Sequence, residues 1–97
     1  MVMAYVVKAN RCFDSAFTLK YKGSGTDTVE AGDSQLFTFL DDNITASDVA
    51  VVTVQHINGD TIDDIKTNHC IGTGGLQVKV WNSGVSDATV TVNVAVL

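Results

Sequence analysis

The most reactive side chains in this sequence belong to two cysteines and two histidines, Cys12, Cys70, His56 and His69. Thiol catalysis needs a histidine within hydrogen-bond reach of the cysteine. His69 and Cys70 are adjacent, so in a strand their side chains point to opposite faces. No flanking motif supports pairing of either cysteine with His56. Because no oxidising compartment is indicated, we predict two reduced, mostly buried thiols without a catalytic role, with a Cys12–Cys70 disulfide as the alternative.

Two pairs of neighbouring aspartates, Asp41-Asp42 and Asp63-Asp64, could in principle supply acid–base chemistry. Such chemistry needs two carboxylates that face one cleft and differ in pKa. Adjacent aspartates in polar segments are more often solvated turn formers. The sequence therefore predicts that the protein is not an enzyme.

Residues 56–70 are rich in side chains that can bind metal ions. None has the spacing of a zinc site, and the pattern of a calcium-binding loop is absent. We expect a polar loop here, and the alternative is a weak calcium site formed by Asp60, Asp63 and Asp64. No cofactor is predicted.

Three aromatic residues, Trp81, Tyr21 and Tyr5, are candidates for surface contact. Trp81 lies in a strand-like stretch, and its position in the alternation puts it on the face opposite Leu76 and Val78, which predicts an outward indole ring. An outward tryptophan can stack on a sugar or pack against another subunit. The subunit contact is the interpretation that we favour.

Composition and charge limit the classes of partner. The 97 residues are 45% hydrophobic and carry a net charge of −5, which predicts one domain spanning residues 1–97. The negative charge is concentrated in residues 41–97, and no basic cluster is present, so nucleic acid is not an expected partner. Residues 1–7 lack the basic start of a secretion signal, and no apolar run reaches the length of a membrane helix. We therefore expect cytoplasmic folding and no membrane partner.

The hydrophobic pattern has the two-residue period of strands. Residues 88–97 and 76–82 alternate most clearly, which predicts that Val78, Val80, Val92 and Val94 lie in the core and that the two segments form a hairpin closed by the polar residues between them. Residues 48–57 are apolar on both faces, which is typical of a strand covered on both sides. A turn is predicted at Thr45 to Asp48. Further strands are predicted at residues 4–9, 16–21 and 35–40, and a glycine turn at residues 22–26 ends the second of these strands. Residues 61–70 are predicted to form a loop with one helical turn.

These elements predict an all-β protein, a small antiparallel β-sandwich of six to eight strands with jelly-roll or Greek-key connections. The chain contains no proline, although proline is one of the residues that protect edge strands. We therefore expect the edges to be covered by pairing between subunits, by charge or by bulges.

Two segments resemble parts of small phage virion surface proteins. They are residues 74–97 (GGLQVKVWNSGVSDATVTVNVAVL) and, in style, residues 44–55 (ITASDVAVVTVQ). These proteins are head decoration or cement proteins and trimeric tail-fibre or knob modules. The resemblance implies a homo-oligomer, most often a trimer, that stabilises a capsid lattice by contact with other virion proteins such as the major capsid protein. It places the chain on the virion surface after assembly in the host cytoplasm. The alternative function is that of a carbohydrate-binding or adhesion module of the receptor-binding type.

Overall fold

The computed structural model describes residues 19–58 and 64–97. Six strands form in this part of the chain, and it contains no helix long and apolar enough to cross a membrane. The strands are β1 (Tyr21–Val29), β2 (Ser34–Leu40), β3 (Ala50–Asn58), β4 (Ile65–Gly72), β5 (Gly75–Asn82) and β6 (Ala88–Val96).

The strands form two antiparallel sheets that face each other. The first sheet has the order β1-β6-β3 and the second has the order β2-β5-β4. Four of the five connections pass from one sheet to the other, and only the β4–β5 hairpin stays within a sheet. The predicted all-β sandwich is confirmed, and pairing of β1 with β6 and of β2 with β5 is the arrangement of a rolled hairpin, as in jelly rolls.

The core lies between the two sheets and consists of the residues that the period of two assigns to one face. The predicted core residues Val78, Val80, Val92 and Val94 are all buried. Burial alternates with exposure along β5 and with partial exposure along β6. The remaining buried hydrophobic residues are Val29, Phe37, Phe39, Ile44, Leu76, Ala88, Val90 and Val96.

The predicted hairpin between residues 76–82 and 88–97 is wrong. Both segments are strands, but β5 and β6 lie in different sheets. The buried Asn82 holds the chain where it crosses, because its amide donates to the carbonyls of Val29 and Ser86, and its Oδ1 accepts from the Gly84 amide. Alternation shows that a segment is a strand, but it does not show which strand is its neighbour.

The predicted glycine turn at residues 22–26 is also wrong. β1 passes through Gly23 and Gly25 and pairs with β6 in an unbroken register. A Cβ at Gly25 would lie 3.3 Å from a Phe37 ring atom, and one at Gly23 would lie 3.0 Å from a Phe39 ring atom. The glycines therefore admit aromatic rings against the strand, which is a known use of glycine within sheets.

The segment predicted as a loop at residues 61–70 is a strand from Ile65 onwards. β4 pairs with β5 along its whole length through a tight turn, in which Gly74 has a φ of 87°. Such a positive φ favours glycine. The sequence of this strand does not show a regular hydrophobic alternation, because the polar residues Thr67 and His69 occupy inward positions of β4.

β3 begins two residues later than predicted and is covered on one side only. Its inward residues Val52 and Val54 are half-buried, whereas the outward Val51 and Ile57 are 50% and 56% exposed. The prediction of a strand covered on both faces is therefore wrong. Strands predicted at residues 4–9 and 16–18 lie outside the described residues.

Candidate functional site

The side of the sandwich formed by β1 and β2, the closed side, is sealed by aromatic rings. Tyr21 and Phe39 pack edge to face, with ring centroids 6.4 Å apart and planes at 62°. Phe37 and Phe39 are buried, and their rings lie against the glycines of β1. Edge-to-face packing of this kind stabilises beyond simple area burial.

The opposite side, the open side, is formed by β3 and β4 and is much less covered. Thr67 and His69 of β4 are exposed, although they point inward in register with the fully buried Val80 and Val78 of β5. Val52 and Val54 of β3 are only half-buried against the core. Within residues 19–58 and 64–97, no strand pairs with the outer edge of either β3 or β4.

One polar atom on the inward face of β3 has no hydrogen-bond partner among the residues that the structure describes. His56 lies opposite Val90 in the first sheet. Its Nε2 atom is buried, and no described residue forms a hydrogen bond with it. A buried polar atom without a partner is destabilising, so an additional chain segment at the open side could supply one.

The reactive residues do not form a catalytic group in the described structure. His69 is in register with the inward Val78, and Cys70 is in register with the outward Gln77, so the two side chains point to opposite faces as predicted. Cys70 is exposed, which corrects the prediction of a buried thiol, because its strand is covered on the inward face only. Cys12 lies outside the described residues, and its pairing stays a prediction.

No group of three or more metal-binding side chains is present within residues 19–58 and 64–97. Asp60 and Asp63 lie outside the described residues, so the calcium alternative is untested. The main-chain carbonyl of Asp64 accepts hydrogen bonds from the Ser83 amide and hydroxyl. Asp41 accepts the Asn43 amide through its Oδ1 atom, the geometry of a turn former.

Trp81 is the described aromatic residue that faces outward, as predicted, and is 38% exposed on the second sheet. The Nζ atom of Lys79 lies 5.3 Å from its ring centroid. Tyr21 instead points inward against Phe39, and Tyr5 lies outside the described residues. We call the outward side chains of the second sheet the tryptophan face: Ser34, Leu36, Thr38, Leu40, Lys66, Asn68, Cys70, Gln77, Lys79 and Trp81.

Part of the outward face of the first sheet, where β1 pairs with β6, is a ladder of hydroxyl groups. Thr26 and Thr91 are joined by a 2.8 Å hydrogen bond, and Thr28 and Thr89 by one of 3.3 Å. Cross-strand threonine pairs stabilise sheets. Because these hydroxyls bond one another, we assign the ladder a structural role.

An ion pair connects the start of β1 with the turn before β3. The Lys20 ammonium lies 2.9 Å from the Asp48 carboxylate, which also accepts the Thr45 amide. The pKa of Asp48 lies below its usual value, chiefly because its carboxylate accepts a hydrogen bond from the Thr45 amide. The hydrogen bond from Lys20 is the second cause. The predicted turn from Thr45 to Asp48 is confirmed.

The open side was missed by the sequence reasoning. Its signal is the order Ile65, Thr67, His69, Ile71, in which apolar and polar residues share one face of a strand. A strand that lies over a complete core would carry apolar residues at all four positions.

Comparison of the chain with protein-family models, with curated proteins and with solved structures gives no match.

Proposed function

We propose that this protein is a non-enzymatic structural subunit of a virion, which decorates a capsid lattice and associates with copies of itself through its open side. The observation that carries the proposal is the open side. The outer edges of all four edge strands are unpaired within the described residues, and the half-buried Val52 and Val54 distinguish the open side as a surface of the kind that sandwich proteins normally cover. Jelly rolls commonly have eight strands, so each sheet has room for a fourth strand, and we propose that this side is where it is joined.

The proposed occupant of the open side is a second copy of the chain. β3 contains no aspartate, glutamate, lysine or arginine, although the chain as a whole carries a net charge of −5. Contact through β3 therefore keeps the acidic residues of two copies out of the interface. Burying the exposed parts of Val52 and Val54 contributes roughly 25 cal/mol for each Å² of apolar surface removed from water.

The two edges of the open side differ, and this supports a ring. β4 carries Lys66 and the inward polar residues Thr67 and His69, whereas β3 carries no lysine, arginine or carboxylate and has two inward valines beside His56. A contact of the β3 edge of one copy with the β4 edge of the next is heterologous, and heterologous contacts can close into rings. The proposed ring has three copies, and this number rests on the resemblance to trimeric phage proteins.

Attachment to the capsid lattice is proposed to be mainly apolar and hydrogen-bonded. Exposed carboxylates such as Asp42 contribute little to affinity, and salt screens them within about 8–10 Å. We therefore expect the protein to stay bound to particles from 50 mM to about 500 mM salt. Release by moderate salt would indicate attachment through charged loops, and release by a chelator would indicate a calcium site at residues 60–64.

Isolation of particles from cells that produce this chain tests the virion assignment. We expect the chain to sediment with the particles through a density gradient, in a fixed ratio to their major capsid protein. Recovery of the chain only in the particle-free fraction would contradict the proposal.

Hydrogen exchange distinguishes the alternative occupant of the open side, which is a segment of the same chain such as residues 1–18. If that segment covers β3, its edge amides will be protected in a monomer. If a second copy covers it, protection will appear only at concentrations at which the chain associates. Edge amides that exchange freely at every concentration would contradict both assignments.

A further inference from the structure

We infer that the tryptophan face binds an acidic glycan, a sugar ring that carries a carboxylate. This site is separate from the open side, so it extends the proposed function without depending on it. The inference starts from where the chain places its few positive charges.

Residues 41–97 contain seven aspartates and only two lysines, Lys66 and Lys79. Both lysines lie on the tryptophan face and both are neighbours of Trp81. Lys66 is its cross-strand partner, and the Nζ atom of Lys79 lies 5.3 Å from its ring centroid. The acidic half of the chain therefore collects its cations around one exposed aromatic ring.

Acidic residues are absent from the outward positions of β2, β4 and β5. The nearest carboxylates along the chain lie at strand ends: Asp33 and Asp64 precede β2 and β4, and Asp41 follows β2. The Asp33 Oδ1 atom accepts the Ser34 amide, so it is engaged with the main chain. The outward side chains of the three strands therefore carry two positive charges and no negative one, which is complementary to a negatively charged ligand.

The uncharged groups of the face suit a sugar. The exposed indole of Trp81 offers an apolar ring with a polar edge, which can stack on the C–H face of a pyranose. Asn68 is the cross-strand partner of Lys79, and Gln77 is exposed in the same shallow hollow of about 170 Å³. Their amides can bond to sugar hydroxyls, while the lysine ammonium groups bind the carboxylate.

A nucleic acid fits this face less well. Bases also stack on tryptophan, but the affinity of nucleic-acid binding comes from many phosphate contacts. Two lysines supply few such contacts, and the net charge of −5 opposes a polyphosphate. The interaction of Lys79 with the indole is weak at exposed positions, so a ligand can displace its ammonium group from the ring.

Trp81 is the single tryptophan of the chain, so its fluorescence reports directly on the site. Titration with a short galacturonic acid oligomer should give a saturable change, and the matching galactose oligomer should bind more weakly. Lys79→Gln and Lys66→Gln should each weaken galacturonate binding about fivefold, the effect of one exposed ion pair. They should leave galactose binding unchanged.

Lys22→Gln is the matched control, since it removes one exposed lysine from the first sheet. It should leave galacturonate binding unaltered, and Trp81→Ala should abolish binding measured by calorimetry. Equal loss in all three lysine variants, equal affinity for both sugars, or no saturable change would overturn the inference. Tighter binding of a single-stranded oligonucleotide would do the same. Because the lysine variants alter exposed residues, they decide the question even if Trp81→Ala fails to fold.

Discussion

The closed and open sides of the sandwich each contain one edge strand from either sheet, but they are completed differently. On the closed side, glycines in β1 admit the rings of Phe37 and Phe39, and Tyr21 packs across the gap. On the open side, β4 presents Thr67 and His69 toward the space beside fully buried valines. The difference shows that, within the described residues, side chains of the fold cover the core on one side of the sandwich and leave it partly exposed on the other.

The largest effect should come from removing an aromatic ring of the closed side. Phe39→Ala creates a cavity between the sheets and should lower the free energy of unfolding by about 3 kcal/mol. Urea denaturation followed by circular dichroism measures this change. Leu40→Ala is the control, because Leu40 is the next residue and is 76% exposed, and it should change stability by less than about 0.5 kcal/mol. Equal losses would show that the closed side is not sealed by the ring.

A smaller effect on stability is expected from alanine substitution in the β4–β5 hairpin, where it should differ between two glycines that face each other. A Cβ at Gly75 would lie 2.6 Å from the main-chain oxygen of Phe39, whereas one at Gly72 would meet nothing within 4 Å. Gly75→Ala should therefore destabilise by about 1–3 kcal/mol, since main-chain atoms of β2 must move. Gly72→Ala should leave the thermal midpoint unchanged or slightly raised. The reverse order would contradict the register of β2 against β5.

The smallest effect concerns the ion pair that ties the two sides together at one end of the first sheet. Because the pKa of Asp48 is lowered in the folded state, its contribution is present above the unfolded value of about 3.9 and is lost as the pH falls further. Asp48→Asn should lower the thermal midpoint at pH 7 and have a smaller effect at pH 3. Asp42→Asn, at an exposed position in the preceding loop, is the control and should leave the thermal midpoint at pH 7 nearly unchanged. A pH-independent effect of Asp48→Asn would refute the assignment.

The strand faces could be predicted from the sequence, because burial on one face of a sheet imposes a period of two. This reasoning placed Val78, Val80, Val92 and Val94 in the core and Trp81 outside it. The strand partners could not be predicted, since the period says nothing about which sheet a strand joins. The hydrogen bond from Asn82 to the Val29 carbonyl and the packing of aromatic rings over Gly23 and Gly25 exist only once distant segments have come together.

In the candidate sites, too, the face of a strand could be predicted from the sequence, but the partner of the strand could not. Trp81 was recognised as an outward residue from the alternation of β5, but the clustering of both lysines beside it depends on pairing between β4 and β5. The open side depends on the position of β4 in the second sheet, and the sequence alone indicated a loop there. Long-range pairing was therefore the missing information in both cases.

The oligomeric mass measured by light scattering at micromolar concentration tests most directly whether the open side is an assembly surface. Val54→Lys places an ammonium group on the inward face of β3, where it can reach solvent in a single copy but would be buried between copies at high cost. Ser24→Lys adds the same charge to the outward face of β1. We predict a mass three times the 10.3 kDa of the chain for the parent and for Ser24→Lys, and the mass of a single folded chain for Val54→Lys. A parent protein of 10.3 kDa, or a Val54→Lys variant as large as Ser24→Lys, would contradict the account.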